Sequence, residues 1–212
     1  KTAAKNGETI TNTHTPEVID ITVTKNWDDD NNRDGIRPGA NDFASKLHLM
    51  NGETEVAGVV PSVVDNNDGT YTVKYTGLPK KENGTDIQYS VKEDILDGYK
   101  ADTYTVKNGE TITNTHDVGT TYISITKAWS DGNNQDGKRP SQFASMVKLY
   151  RDNDVEVKGV TPVVEDNLDG TYKISYENLP KNSNGQPIEY SIKEENVDGY
   201  TADKTVVKNG ET

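Results

Sequence analysis

The decapeptide Lys107-Asn108-Gly109-Glu110-Thr111-Ile112-Thr113-Asn114-Thr115-His116 also stands, residue for residue, at Lys5–His14, and its first five residues return at Lys208–Thr212. Each full copy joins a glycine turn to an alternating β-branched run, the pattern of a closing strand. The residues downstream of each copy repeat too: Lys25 and Trp27 come after the first as Lys127 and Trp129 come after the second. With Phe43 recurring as Phe143 and Tyr89 as Tyr190, the period is about 100 residues, the size of a domain that can bury its own core and too long for a solenoid repeat. Two tandem domains are therefore expected: residues 1–16 as the closing strand of a preceding repeat with its linker, 17–117 as the first domain, and 118–212 as a second that lacks its final strand.

The composition narrows the function. Only 31% of the 212 residues are hydrophobic, but Tyr, Val, Ile and Thr recur in short alternating runs, which argues for sheets with one wet face rather than for disorder. A net charge of -12 repels nucleic acid and acidic membrane surfaces, so neither is expected as a partner. Cysteine is absent, which removes disulfides, thiolate metal sites and thiol redox chemistry. No apolar run is long enough to span a bilayer as a helix.

Along the first domain, Ile19, Ile21, Val23, Lys25 and Trp27 share one strand face. The following Asp28–Gly35 stretch reads as a solvated turn. Asp30, Asn32, Asp34 and Gly35 match the opening of a calcium loop, but Asn41 stands where a bidentate glutamate is needed, and Gly132 replaces the first ligand in the second domain. Phe43–Met50 and Phe143–Tyr150 read as strands. The Asp68-Gly69 and Asp169-Gly170 pairs suit tight hairpins with type I′ turns. Ile87, Tyr89, Val91 and Glu93 then share a face, as do Ile188, Tyr190, Ile192 and Glu194, and in the closing strand Ile112 shares its face with Asn114 and His116. About seven short strands per domain with regular turns indicate a β-sandwich.

Lys25, Glu93 and Asn114 thus each interrupt the apolar face of a different strand. An unpaired buried charge costs several kcal/mol, so the three must meet one another or lie at a wet edge. One reading is a buried Lys–Glu pair capped by the asparagine amide. The other is chemical: burial favours a neutral amine and a protonated acid, Lys25 Nζ attacks the Asn114 side-chain carbonyl with Glu93 moving the protons, and ammonia leaves. The resulting isopeptide bond is neutral, which removes the burial penalty.

Taken in order, Thr24-Lys25-Asn26-Trp27-Asp28-Asp29, Tyr89-Ser90-Val91-Lys92-Glu93, Asp97-Gly98-Tyr99 and Ile112-Thr113-Asn114-Thr115, with Asp136-Gly137-Lys138-Arg139-Pro140 from the second domain, resemble the Cna B-type (collagen adhesin B-repeat) domains of Gram-positive cell-wall-anchored surface proteins. The resemblance covers nearly the whole chain, twice. It implies an all-β fold of tandem immunoglobulin-like β-sandwiches of inverse topology, an extracellular, cell-wall location and a self-formed Lys–Asn isopeptide bond with a supporting acid. By position those roles fall to Lys25, Asn114 and Glu93, with Lys127 and Glu194 as the equivalents in the second domain, whose asparagine would lie beyond Thr212.

The expected role is then a structural stalk that holds a ligand-binding head away from the cell wall, not a turnover enzyme. It needs no cofactor or metal, its partners are adjacent repeats, and host matrix is met through a separate head. The rivals are a module that itself grips a matrix protein and a calcium-dependent module. No cluster of loop aromatics supports the first, and only Asp30, Asn32 and Asp34 support the second. Because residues 10–14 carry the strand that the second domain lacks, head-to-tail self-association is also expected, with Asn12 of one molecule meeting Lys127 and Glu194 of the next.

Overall fold

The computed structural model describes residues 3–212, which divide into two compact units. In the first, the alternation of Val18–Asp28 forms β1; a five-residue helix α1, Ala40–Ala44, follows. Next come β2 (Leu47–Asn51), β3 (Thr54–Glu55), β4 (Ser62–Asp65), β5 (Thr70–Pro79), the small hairpin β6–β7 (Lys81–Glu82, Thr85–Asp86), β8 (Tyr89–Glu93), β9 (Lys100–Ala101), β10 (Thr105–Lys107) and β11 (Thr111–Thr115). One sheet runs β4-β5-β1-β11-β9 and the other β10-β8-β2-β3. The first and last long strands are parallel neighbours, with Lys25 opposite Ile112 and Trp27 opposite Asn114. Between the sheets lie Ile21, Val23, Trp27, Phe43, Leu49, Val73, Tyr75, Val91 and Ile112, all buried. Strand period two puts every second residue of β1 into this core, and the buried set Ile21, Val23, Lys25 and Trp27 follows it.

The second unit repeats the plan. It contains β12 (Thr120–Ala128), a 3-10 turn at Phe143–Met146, β13 (Val147–Arg151), β14 (Val155–Glu156), β15 (Val163–Asp166), β16 (Thr171–Pro180), the hairpin β17–β18 (Asn182–Ser183, Gln186–Pro187) and β19 (Tyr190–Glu194). Its sheets run β12-β16-β15 and β14-β13-β19. In both units the long hairpin strand bulges where it meets the opening strand, Thr76 and Gly77 facing Asp20 alone and Glu177 and Asn178 facing Tyr122 alone. The bulges contain Gly77 and Asn178, both with positive φ, a conformation that glycine and asparagine tolerate best.

Three sequence expectations are corrected. Phe43 and Phe143 belong to short helical turns rather than strands, because a single aromatic that plugs the core can be delivered from a turn without a ladder partner. The hairpin after β4 is not a two-residue type I′ turn: the last register pair is Asp65–Tyr71, and positive φ falls on Asn67 and Gly69, not on Asp68. The carboxylates explain this, since Asp65 accepts from the Asn67 N–H at 2.8 Å and Asp68 from the Thr70 N–H at 3.0 Å, an Asx-stapled wider loop. Finally, residues 8–14 form no strand. Ile10 is 74% exposed while its sequence twin Ile112 is 1% exposed; the same residues become a strand only where β1 and β9 flank them.

Candidate functional site

Three elements converge inside the first unit. β1 carries Lys25 and its neighbour β11 carries Asn114, while β8 brings Glu93 from the facing sheet. Each of the three is 1% exposed. Asn114 Nδ2 donates to Glu93 Oε1 at 2.5 Å, and Lys25 Nζ lies 3.1 Å from Glu93 Oε2, close enough to pair but off the line of a hydrogen bond. One carboxyl group therefore faces the amine with one oxygen and the amide nitrogen with the other. Burial pushes the Lys25 ammonium down to about 8 against the opposing pull of Glu93, and burial likewise holds the Glu93 carboxyl above the usual glutamate value, against Lys25 and Asn114. Both shifts favour the uncharged forms. Trp27 walls the site, its ring centroid 4.6 Å from Lys25 Nζ, and packs edge-on against Phe43, Tyr71 and Tyr99.

In the second unit Lys127 Nζ donates to Glu194 Oε2 at 2.9 Å, and Trp129 again lies against the lysine, at 4.2 Å. Here the lysine and glutamate side chains are 18% and 16% exposed, against 1% and 0% in the first unit. The Lys208–Thr212 turn is seated beside β12 as its twin is beside β1: Gly210 N–H donates to Ser124 O and Thr126 N–H to Glu211 O, matching Gly109 to Thr22 and Thr24 to Glu110. Asn12 lies in the exposed N-terminal segment.

A second buried cluster was not foreseen from the sequence, which placed Asp29 in a solvated turn. Asp29 is buried and takes both nitrogens of the Arg37 fork, at 2.5 and 3.0 Å, together with the Tyr99 hydroxyl at 2.8 Å. Asp131, Arg139 and Tyr200 repeat it. The signal was present: an aspartate two residues after each tryptophan, an Arg-Pro ten residues after it, and a Gly-Tyr late in the unit recur together. In the loop between Asp29 and Arg37, Asp30, Asn31, Asn32 and Gly35 all take positive φ, so its wealth of Asx residues has a backbone cause.

A family model described as Cna protein B-type domain matches residues 21–115 and again 123–212. The chain belongs to this family. Two tandem Cna B-type domains account for the repeated sandwich. Among curated proteins, a collagen adhesin of Staphylococcus aureus is 38% identical over 202 residues, which is 93% of this chain and 16% of the adhesin. Among solved structures, two B repeat units of the collagen binding protein of Staphylococcus aureus align over 97% of this chain and 52% of that one, with a TM-score of 0.63 and 32% identity. The chain thus spans about a sixth of the curated relative and about half of the solved one.

Proposed function

We propose that the first Cna B-type unit crosslinks itself between Lys25 and Asn114, and that the tandem serves as a tension-resisting stalk of a cell-wall-anchored bacterial surface protein, with repeat boundaries at residues 17–117 and 118–212. The observation that carries the reading is the bridging position of Glu93, one oxygen on Lys25 Nζ and the other on Asn114 Nδ2. The reaction needs the proton path that this arrangement supplies. Lys25 Nζ, as the neutral amine, attacks Asn114 Cγ; the protonated Glu93 gives its proton to Nδ2 and takes the surplus proton of Nζ; ammonia departs, leaving an Nζ–Cγ amide and Glu93 protonated as before. Each molecule reacts once, so this is self-modification and not turnover. The intact chain should weigh one ammonia less than its sequence, and peptide mapping should join the peptides of Lys25 and Asn114. A full sequence mass overturns the reading. Calorimetric titration with collagen and with calcium should give flat traces for a stalk.

Lys127 and Glu194 carry the same chemistry toward an asparagine on a strand laid beside β12 in the register that β11 takes on β1. The Ile10–His14 segment of a second copy has that sequence, with Asn12 as the reacting residue. A denaturing-gel ladder that Asn12→Ala abolishes supports this pairing, and a monomer band alone at high concentration opposes it.

A further inference from the structure

The proton path accounts for Glu93 but leaves one atom of the reaction without a partner. When Nζ adds to Asn114 Cγ, the carbonyl electrons move onto Oδ1, which becomes an oxyanion inside a dry core. Asn114 Oδ1 is buried and makes no hydrogen bond among the described residues, and both oxygens of Glu93 are turned to Nζ and Nδ2. A buried donor without a hydrogen-bonding partner stands on the adjoining strand: Trp27 Nε1. Trp27 and Asn114 are opposite each other in the β1–β11 register, so their side chains leave neighbouring parallel strands toward the same face, about 5 Å apart at the backbone. Indole N–H can only donate, and the ring that bears it already touches the nucleophile, 4.6 Å from Lys25 Nζ. The second unit repeats the feature: Trp129 Nε1 is also buried and without a hydrogen bond, with Lys127 Nζ 4.2 Å from its ring. A donor left unpaired in both copies of a repeat, next to both lysines, is not an accident of packing in one of them.

We propose that Trp27 Nε1–H is the oxyanion donor of the isopeptide reaction, hydrogen-bonding Asn114 Oδ1 as it acquires charge, with Trp129 in the same role toward the strand that completes the second unit. The proposal rests on the Lys25–Asn114 reading above. An unmade ground-state bond fits the role, because a donor aimed at the oxyanion accelerates the reaction, whereas one that already binds the carbonyl stabilises the reactant as well.

The test replaces Trp27 in the full 212-residue chain by 3-benzothienylalanine, which keeps the shape and stacking of tryptophan but carries sulfur in place of N–H, and in parallel makes Trp27→Phe. Chains made by cell-free synthesis are followed by intact mass against time. Removal of one oxyanion donor slows such reactions roughly 100-fold, so ammonia loss in the analogue should be slower by that order. Melting of the analogue and the parent in an unreactive Glu93→Gln background should coincide, which separates loss of the donor from loss of fold. Ammonia loss at the parental rate in the analogue overturns the Trp27 role and leaves the crosslink standing; no ammonia loss in the parent overturns the crosslink and the Trp27 role with it. Should neither Trp27 variant fold, the Trp27 indole proton decides: a downfield resonance in the bonded parent that returns upfield in Asn114→Ala supports the contact, and coincident resonances refute it.

Discussion

Glu93→Gln tests the site most directly, because it keeps the volume of the side chain and removes its ability to accept and return a proton. The proposed crosslink would close a loop of about 90 residues, from Lys25 to Asn114, for which the chain-entropy model gives roughly 4 to 5 kcal/mol. In a domain of this size 1 kcal/mol moves the melting temperature by about 4–8 °C, so losing the bond should lower it by on the order of 20–30 °C. This is a lower bound. The variant also deprives the buried Lys25 of the carboxylate 3.1 Å away, and a buried charge without its partner is strongly destabilising. Calorimetry and intact mass on the same preparation of the full chain check both halves, with the second unit's transition as internal reference. A Glu93→Gln chain that loses ammonia at the parental rate would show that the glutamate is only a structural neighbour, and an uncrosslinked chain that melts within a few degrees of the parent would show that the bond is no staple.

Four further outcomes are expected. The rate of bond formation should be bell-shaped in pH, because the productive pair holds one proton between amine and acid: it falls above about 8, where Lys25 gives its proton to solvent, and falls again below the raised value of Glu93; a rate that climbs steadily to strongly alkaline pH contradicts this. Arg37→Ala should destabilise the first unit by about 3 kcal/mol in denaturant melts, since the buried Asp29 carboxylate loses both bonds of the guanidinium fork, and an unchanged midpoint would refute the role given to the fork. His48 sits between Glu55 and Asp94, and its hydrogen bond to Glu55, more than the one to Asp94, raises its pKa; the stability it contributes is complete below the ordinary histidine value and is lost as pH rises through the raised one, so His48→Lys should flatten the pH dependence of melting above the ordinary histidine value. Leu168 is 91% exposed with a φ of 62° where the first unit has Asn67, and Leu168→Asn should stabilise the second unit by about 1 kcal/mol, against which a lowered melting temperature would count.

How far the residues alone reveal this molecule depends on what each signal encodes. Period-two alternation states which face a side chain takes, so Lys25, Glu93 and Asn114 could be recognised as polar interruptions of apolar faces, and the structure brings all three together. Alternation does not state how many residues a strand keeps: Phe43 carries the apolar signal of β2 but belongs to a helical turn that plugs the core. Asp29 escaped notice because burial of a carboxylate depends on partners eight and seventy residues away, and local composition records neither Arg37 nor Tyr99 as such. The clearest limit is the repeated decapeptide. Its letters are identical at Lys5–His14 and Lys107–His116, yet only the second copy contains a strand, since β structure is a property of the neighbours that complete the ladder as much as of the residues in it.

The parallel pairing of β1 with β11 also fixes how the first unit can lengthen under load. Because both strands run in the same direction, the chain enters at one pole and leaves at the other, and the proposed crosslink would join the entering strand to the leaving one. The intervening residues, about 90 of them, would then form a covalent side loop that carries no tension. At about 3.3–3.6 Å per extended residue, on the order of 300 Å of contour is withheld from any pull on the ends. In a single-molecule force trace the crosslinked unit would therefore show no unfolding step of that length, and Glu93→Gln would restore it.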